Sequence, residues 1–162
     1  SGTSVSMNAN GDRVAIGAHY NDGNGNGAGH VRIYEWDGTT WTQLGTDIDG
    51  EAAANVSGTS VSMNANGDRV AIGARQNGVS GNNVNGSLAG HVRIYQWDGT
   101  TWTQLGVDID GEAANDVSGH SVSMNANGDR VAIGAPGSGF NGLNASGHVR
   151  IYEWDGITWT QL

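Results

Sequence analysis

The sequence contains no cysteine and only one proline in 162 residues, so disulfides and thiol chemistry are excluded. It also contains no lysine: all seven basic residues are arginines, against 16 acidic residues and a formal net charge of −9. Binding to a phosphate backbone needs clustered basic side chains, so nucleic acid is excluded as a partner. No run approaches the roughly 20 apolar residues of a transmembrane helix, and we expect no membrane insertion.

Glycine is abundant instead, with 28 residues, and the composition is typical of a turn-rich β protein. The pattern Ser-Gly-x-Ser-Val-Ser-Met-Asn begins at Ser1, Ser57 and Ser118, which divides the chain into units at 1–56, 57–117 and 118–162. Repeats of this size are typical of solenoids, propellers and arrays, in which each unit stacks on its neighbours. No useful 3.6-residue periodicity indicates a helix.

The first unit contains four short runs of β character, at 3–7, 13–18, 30–36 and 40–44. Asn-Gly and Asp-Gly dipeptides join two of the pairs, and both dipeptides favour tight hairpins. The sequence therefore predicts an all-β chain of three four-stranded antiparallel meanders, each one blade of a β-propeller. Because propellers close with four or more blades, we expect a six-bladed ring formed by two copies of the chain, or a segment of a longer propeller.

The string SGTSVSMNANGDRVAIGA, followed by a Gly-rich loop and GHVRIYEW, resembles the FG-GAP repeat of integrin-α-type propellers. The third unit also carries Gly134-Ala135-Pro136, although Ser1, Ser57 and Ser118 stand where that repeat has Phe. The resemblance implies an extracellular or cell-surface location and a role in adhesion. It also implies a calcium loop, but the matching segment 8–13 keeps one carboxylate and is better suited to a plain hairpin.

Acidic residues gather beside a glycine in both connections between units. They are Asp47, Asp49, Glu51, Asp108, Asp110 and Glu112. Carboxylates grouped in this way predict weak cation sites, with calcium as the possible cofactor and no other cofactor expected. The alternative interpretation is a solvated acidic turn. The recurring His30, His91 and His148 are expected to be packed histidines, because successive blades hold them apart.

The connection between the second and third strands differs in all three units, whereas the strands around it are nearly the same. Variable loops on a repeated scaffold are where ligands are usually bound. The predicted ligand-binding residues are Tyr20, Asn21, Asp22, Asn82, Asn83, Phe140 and Asn141. The alternative is sequence drift in exposed linkers.

No nucleophile elbow, phosphate loop or paired catalytic residues stand out in the sequence. The function expected from these residues is a non-enzymatic module for adhesion, ligand binding or assembly, with a second copy of itself, a protein or a glycan as partner. A lectin-like module that stacks its tryptophans on sugars is one alternative. An engineered or recently amplified self-assembling fragment is another, and a third is an enzyme whose catalytic groups lie in other blades.

Overall fold

The computed structural model describes residues 1–76, 86–137 and 146–162. Its first unit contains β1 (Ser4–Met7), β2 (Arg13–Ala18), β3 (His30–Trp36), β4 (Trp41–Gln43) and β5 (Ile48–Asp49). The second contains β6 (Ser57–Met63), β7 (Arg69–Ala74), β8 (His91–Trp97), β9 (Trp102–Gln104) and β10 (Ile109–Asp110). The third contains β11 (Ser121–Met124), β12 (Arg130–Ala135), β13 (His148–Trp154) and β14 (Trp159–Gln161).

These strands form three antiparallel sheets with four strand positions each, and no helix occurs among the described residues, so the predicted all-β meanders are confirmed. The order is β1-β2-β3-β4 in the first sheet and β11-β12-β13-β14 in the third. The second sheet repeats this order with β6, β7, β8 and β9. None of the described segments forms a helix with the length and apolar character needed to cross a membrane.

The fourth strand position differs from the prediction, because it is divided in two. The predicted run at 40–44 contributes only Trp41–Gln43, which pairs with the end of β3. The chain then bends at Gly45, whose φ is +78°, and returns as β5 beside the start of β3. Ile48 is buried, so its side chain holds this returning segment in the sheet. The acidic connection is therefore part of the sheet edge as well as a turn.

Each hairpin between the first two strands is closed by an asparagine side chain. In the second unit, Oδ1 of Asn64 accepts hydrogen bonds from the backbone N–H groups of Asp68 and Arg69, at 3.0 and 2.9 Å. Its Nδ2 donates to Oδ1 of Asp68 at 2.6 Å. Asn8 and Asn125 make the same three bonds in the other two units. Asparagine is thus required here by hairpin geometry.

The core lies between the sheets rather than within any one of them. Small residues let the first strands of successive sheets approach closely, and Ser60 Oγ donates to the Gly119 carbonyl of the next sheet at 2.8 Å. Ser4 Oγ makes the same bond to Gly58 one sheet earlier. A Cβ placed on Gly73 would collide with the Gly119 carbonyl oxygen, so glycine is required at that contact.

Candidate functional site

Each sheet places a His-Val-Arg sequence at the start of its third strand. The histidine and the arginine point to one face of the sheet, and in the second and third sheets that face is turned toward the preceding sheet. Arg93 donates from Nη2 to the Asp49 carbonyl at 2.9 Å, and its Nη1 lies 3.6 Å from Oε1 of Glu51. One sheet later, Arg150 makes the same contacts with Asp110 and Glu112. Both guanidinium groups are buried, so they join neighbouring sheets.

Arg32 in the first sheet has a different environment. Its Nε and Nη2 bind the carboxylate of Asp47 at 2.9 to 3.0 Å, within its own sheet. Its side chain is 41% exposed, compared with 6% for Arg93. The hydrogen bonds from Arg32 are the main reason that the pKa of the Asp47 carboxyl lies below its usual value. Arg32 therefore keeps a cation at the edge of an accessible surface.

A cavity of about 290 Å³ opens beside Arg32. It is lined by Ser1, Thr3, Ala18, His19, Tyr20, Asn21, His30 and Arg32. His19 follows β2, and its Nδ1 lies 2.7 Å from Oγ1 of Thr3. The corresponding space in front of the second sheet is filled by the acidic backbone segment whose Asp49 carbonyl meets Arg93. The cavity therefore has a shape and polarity that accept carbonyl and carboxylate groups.

Both histidines of this cavity have a lowered pKa. For His30 the first cause is burial, followed by the positive charge of Arg32. For His19 the first cause is again burial, followed by the charge of Arg75. Each imidazole is therefore neutral at pH 7, and a neutral imidazole can accept a proton.

The structure places the predicted ligand-binding residues in different settings. Tyr20 and Asn21 line the cavity. Asp22 lies next to it and accepts a hydrogen bond from the backbone N–H of Gly27 at 2.7 Å, which shapes the loop. The remaining four, Asn82, Asn83, Phe140 and Asn141, lie outside the described residues.

The acidic residues predicted to bind a cation are divided between two sheets. Asp47 and Asp49 lie with His30, and their ligand atoms are all within 4.8 Å of one another. Glu51 instead lies with His91 and Asp108 of the next sheet, within the same distance.

Asp110 is half-buried, and its pKa is raised by burial and then by the charges of Asp108 and Glu51. Glu112 lies 3.4 Å from Arg150.

The histidines are the members of these clusters that the sequence interpretation missed. His30 lies directly opposite Asp49 in the β3–β5 register, and His91 lies opposite Asp110 in the equivalent pair. The signal was present as a histidine and an acidic segment recurring together in each of the first two units. This signal predicts a His–carboxylate cluster only when the acidic segment is known to pair with the third strand.

No family model matches the chain, and no curated protein matches it in sequence. Among solved structures, the chain is similar to a putative 6-phosphogluconolactonase from Bacteroides uniformis, with 11% sequence identity and a TM-score of 0.58. The match covers 98% of this chain and 39% of that chain, so this chain spans about two fifths of the solved protein. At this identity, the likeness concerns the fold.

This comparison corrects the functional expectation drawn from the sequence. The interpretation as a non-enzymatic module for adhesion, ligand binding or assembly, with its lectin-like alternative, is wrong, because a solved protein of similar fold carries the name of an enzyme. A second copy of the chain as partner stays a prediction. The prediction that the chain is not an enzyme is wrong for the same reason. The FG-GAP resemblance, calcium and the extracellular or cell-surface location stay predictions.

Proposed function

We propose that the three sheets are consecutive blades of a β-propeller and that this propeller is a hydrolytic enzyme acting on an anionic lactone or ester. The blade arrangement is supported by the way in which the sheets pack. Successive sheets contact each other mainly through their first strands β1, β6 and β11, together with the second strands. Sheets that converge at their first strands and stack face to face are arranged as blades around an axis.

The two contacts between sheets repeat each other residue by residue. Between the first and second sheets, Val31 and Ile33 pack against Val70 and Ile72. Between the second and third, the equivalent Val92 and Ile94 pack with Val131 and Ile133 in the core. Trp102 Nε1 donates to the Leu44 carbonyl at 2.9 Å, and Trp159 makes the same bond to Leu105. Each sheet thus has one face for the preceding sheet and one for the next.

The first and third sheets each leave one face uncovered, and these two faces carry the same residues that form the contact between neighbouring sheets. The first sheet exposes Val5 and Met7, which are 64% and 54% accessible, although the equivalent Val61 and Met63 are buried. The third sheet exposes Val149 and Ile151, at 67% and 46%, although the equivalent Val92 and Ile94 are buried. We propose that a second copy of the chain covers them, with its third sheet against the first sheet of its partner, so that two chains complete six blades.

The mass in solution tests this arrangement. Native mass spectrometry is expected to show twice the 16.7 kDa of one chain. A Val5→Lys substitution buries a charge in the proposed contact and is expected to yield monomers, because an unpaired buried charge is strongly unfavourable. Ile157→Lys is the matched control, since Ile157 is 85% exposed and lies in the turn between β13 and β14 rather than in a strand of either end face. A folded wild-type monomer, or a Val5→Lys dimer, would contradict the proposal.

The hydrolytic part of the proposal depends on one observation. Two neutral imidazoles, from His19 and His30, and the Arg32 guanidinium line one cavity, in a fold shared with a putative 6-phosphogluconolactonase. This cavity lies beside Thr3 and is separate from the apolar surface around Met7 that the second copy is proposed to cover. An imidazole accepts a proton from water while the water oxygen attacks the lactone carbonyl carbon. The ring C–O bond then breaks, and the leaving oxygen takes up the proton to give a hydroxy acid. Arg32 supplies the positive charge for a phosphate or carboxylate group of the substrate.

Hydrolysis of 6-phosphogluconolactone, with uncharged gluconolactone for comparison, tests this proposal. His30→Gln and His19→Gln each remove one candidate base, and at least one of them is expected to lower kcat by about 100-fold or more. Arg32→Gln is expected to raise KM for the phosphorylated lactone, with little change for the uncharged one. Arg130→Gln is the control, because Arg130 is an exposed cation paired with Glu153. Wild-type rates equal to spontaneous hydrolysis, or unchanged rates in both His variants, would contradict it.

A further inference from the structure

His91 is fully buried, yet neither nitrogen of its ring has a hydrogen-bond partner among the described residues. Buried polar atoms are nearly always paired, because an unpaired donor or acceptor loses its hydration without compensation. The imidazole is not surrounded by apolar atoms alone. Its nearest ligand atom lies within 4.8 Å of carboxylate oxygens of Glu51, from the first sheet, and Asp108, from its own sheet. A ring nitrogen of His91 thus lies close to the carboxylate oxygens of Glu51 and Asp108 without a hydrogen bond to either.

We propose that Glu51, His91 and Asp108 form a binding site for a divalent metal ion of the zinc class. One imidazole nitrogen and two carboxylate oxygens are a donor set that zinc accepts, whereas calcium takes oxygen ligands. Ligand atoms about 2.1 Å from a tetrahedral ion lie roughly 3.4 Å from one another, so the cluster must contract when it binds. Glu51 is 37% exposed, so its side chain is only partly confined by its contact with Arg93 at 3.6 Å.

The charges around His91 favour a cation. Carboxylate oxygens of Glu51 and Asp108 lie within 4.8 Å of a His91 ring nitrogen, and Asp110 is the residue paired with His91 in the β8–β10 register. The positive group that opposes them is Arg93, at 3.6 Å from Glu51. Two carboxylates against one guanidinium leave a net negative charge beside the His91 ring.

The equivalent cluster of the first sheet is less suited to a metal. Asp47 there is held by Nε and Nη2 of Arg32 and by Nε2 of Gln43, so both of its oxygens are already engaged. Within the described part of the chain, Asp108 accepts one side-chain bond, from Gln104, because Arg93 turns away to the preceding sheet. We therefore expect one ion per chain, between the first and second sheets.

Titration with Zn²⁺ followed by calorimetry, and with Co²⁺ followed by visible absorption, tests the site on the intact chain. The wild type is expected to bind one equivalent of either metal and to gain thermal stability, because the ion joins two sheets. Asp108→Asn and His91→Gln are expected to weaken binding by about 100-fold or more, since loss of a supporting group alone costs 10- to 100-fold. His30→Gln is the matched control and is expected to retain full binding.

Asp108 is only partly buried, so its variant is expected to fold even if His91→Gln does not. Absence of binding to the wild type, or unchanged affinity in Asp108→Asn, would overturn the proposal. So would loss of binding in His30→Gln with Asp108→Asn intact. The site does not depend on the hydrolytic proposal, because binding is measured without substrate.

Discussion

Replacing Gly73 by alanine is expected to lower the free energy of unfolding by about 3 kcal/mol, because the added methyl group has no space. Its Cβ would collide with the Gly119 carbonyl oxygen of the third sheet and with Oγ of Ser60. The Gly119 oxygen already accepts the Ser60 hydroxyl at 2.8 Å, so neither group can move without breaking this bond. Urea unfolding followed by tryptophan fluorescence measures the effect.

Gly134 provides the matched control for this substitution. It occupies the same position in the third sheet, but the atoms nearest to its Cβ would belong to Ser121 of its own sheet. Gly134→Ala is therefore expected to cost less than Gly73→Ala, by about 2 kcal/mol. Both variants are compared in the Val5→Lys background, in which the proposed second copy does not cover Gly134. Equal destabilisation in that background would mean that close approach between sheets does not require the glycine.

Asn64→Ala is expected to have an effect of similar size, about 3 kcal/mol, since it leaves backbone N–H groups without their acceptor at 1 to 3 kcal/mol each. Those groups belong to Asp68 and Arg69, which also lose the hairpin geometry that Asn64 holds. Thermal unfolding, followed by the β-sheet circular dichroism signal at about 218 nm, gives the change in stability.

Asn125→Ala tests whether burial sets the size of that loss. Asn125 makes the same three bonds, but it is only partly buried, whereas Asn64 is 2% exposed. Both variants are compared in the Val5→Lys background, in which the proposed second copy does not cover the third sheet. Water then reaches the groups freed there, so Asn125→Ala is expected to be the milder change. The burial argument is refuted if the two variants are equally destabilised.

Strand positions followed well from local signals, because each strand is bounded by residues with one preferred conformation. The predicted runs at 13–18 and 30–36 are β2 and β3 as observed. The broken fourth strand did not follow, since it depends on a non-local contact. Gly45 packs against Trp97 of the next sheet, and Ile48 is buried in a cluster that includes Val61 of that sheet. Alternation within one unit carries no information about such neighbours.

The candidate sites were predictable only in part, for a related reason. The acidic residues and the variable loop could be identified, and Tyr20, Asn21, Glu51 and Asp108 do lie in the cavity or the cluster described above. Their partners could not be identified, because a carboxylate of one unit meets the histidine and arginine of the following unit. Sequence alternation gives the side of a strand on which a residue lies, but it does not give the stagger between sheets.

The residue-by-residue repetition of the contact between sheets has a consequence for how such a chain grows. A duplicated unit inserted between two others finds a ready fit on both sides, because each unit already carries the complement of its own opposite face. Lengthening the gene therefore needs no new interface to evolve. The free energy of unfolding of such an array is a sum of unit and nearest-neighbour terms, so every added unit contributes the interface that stabilises it.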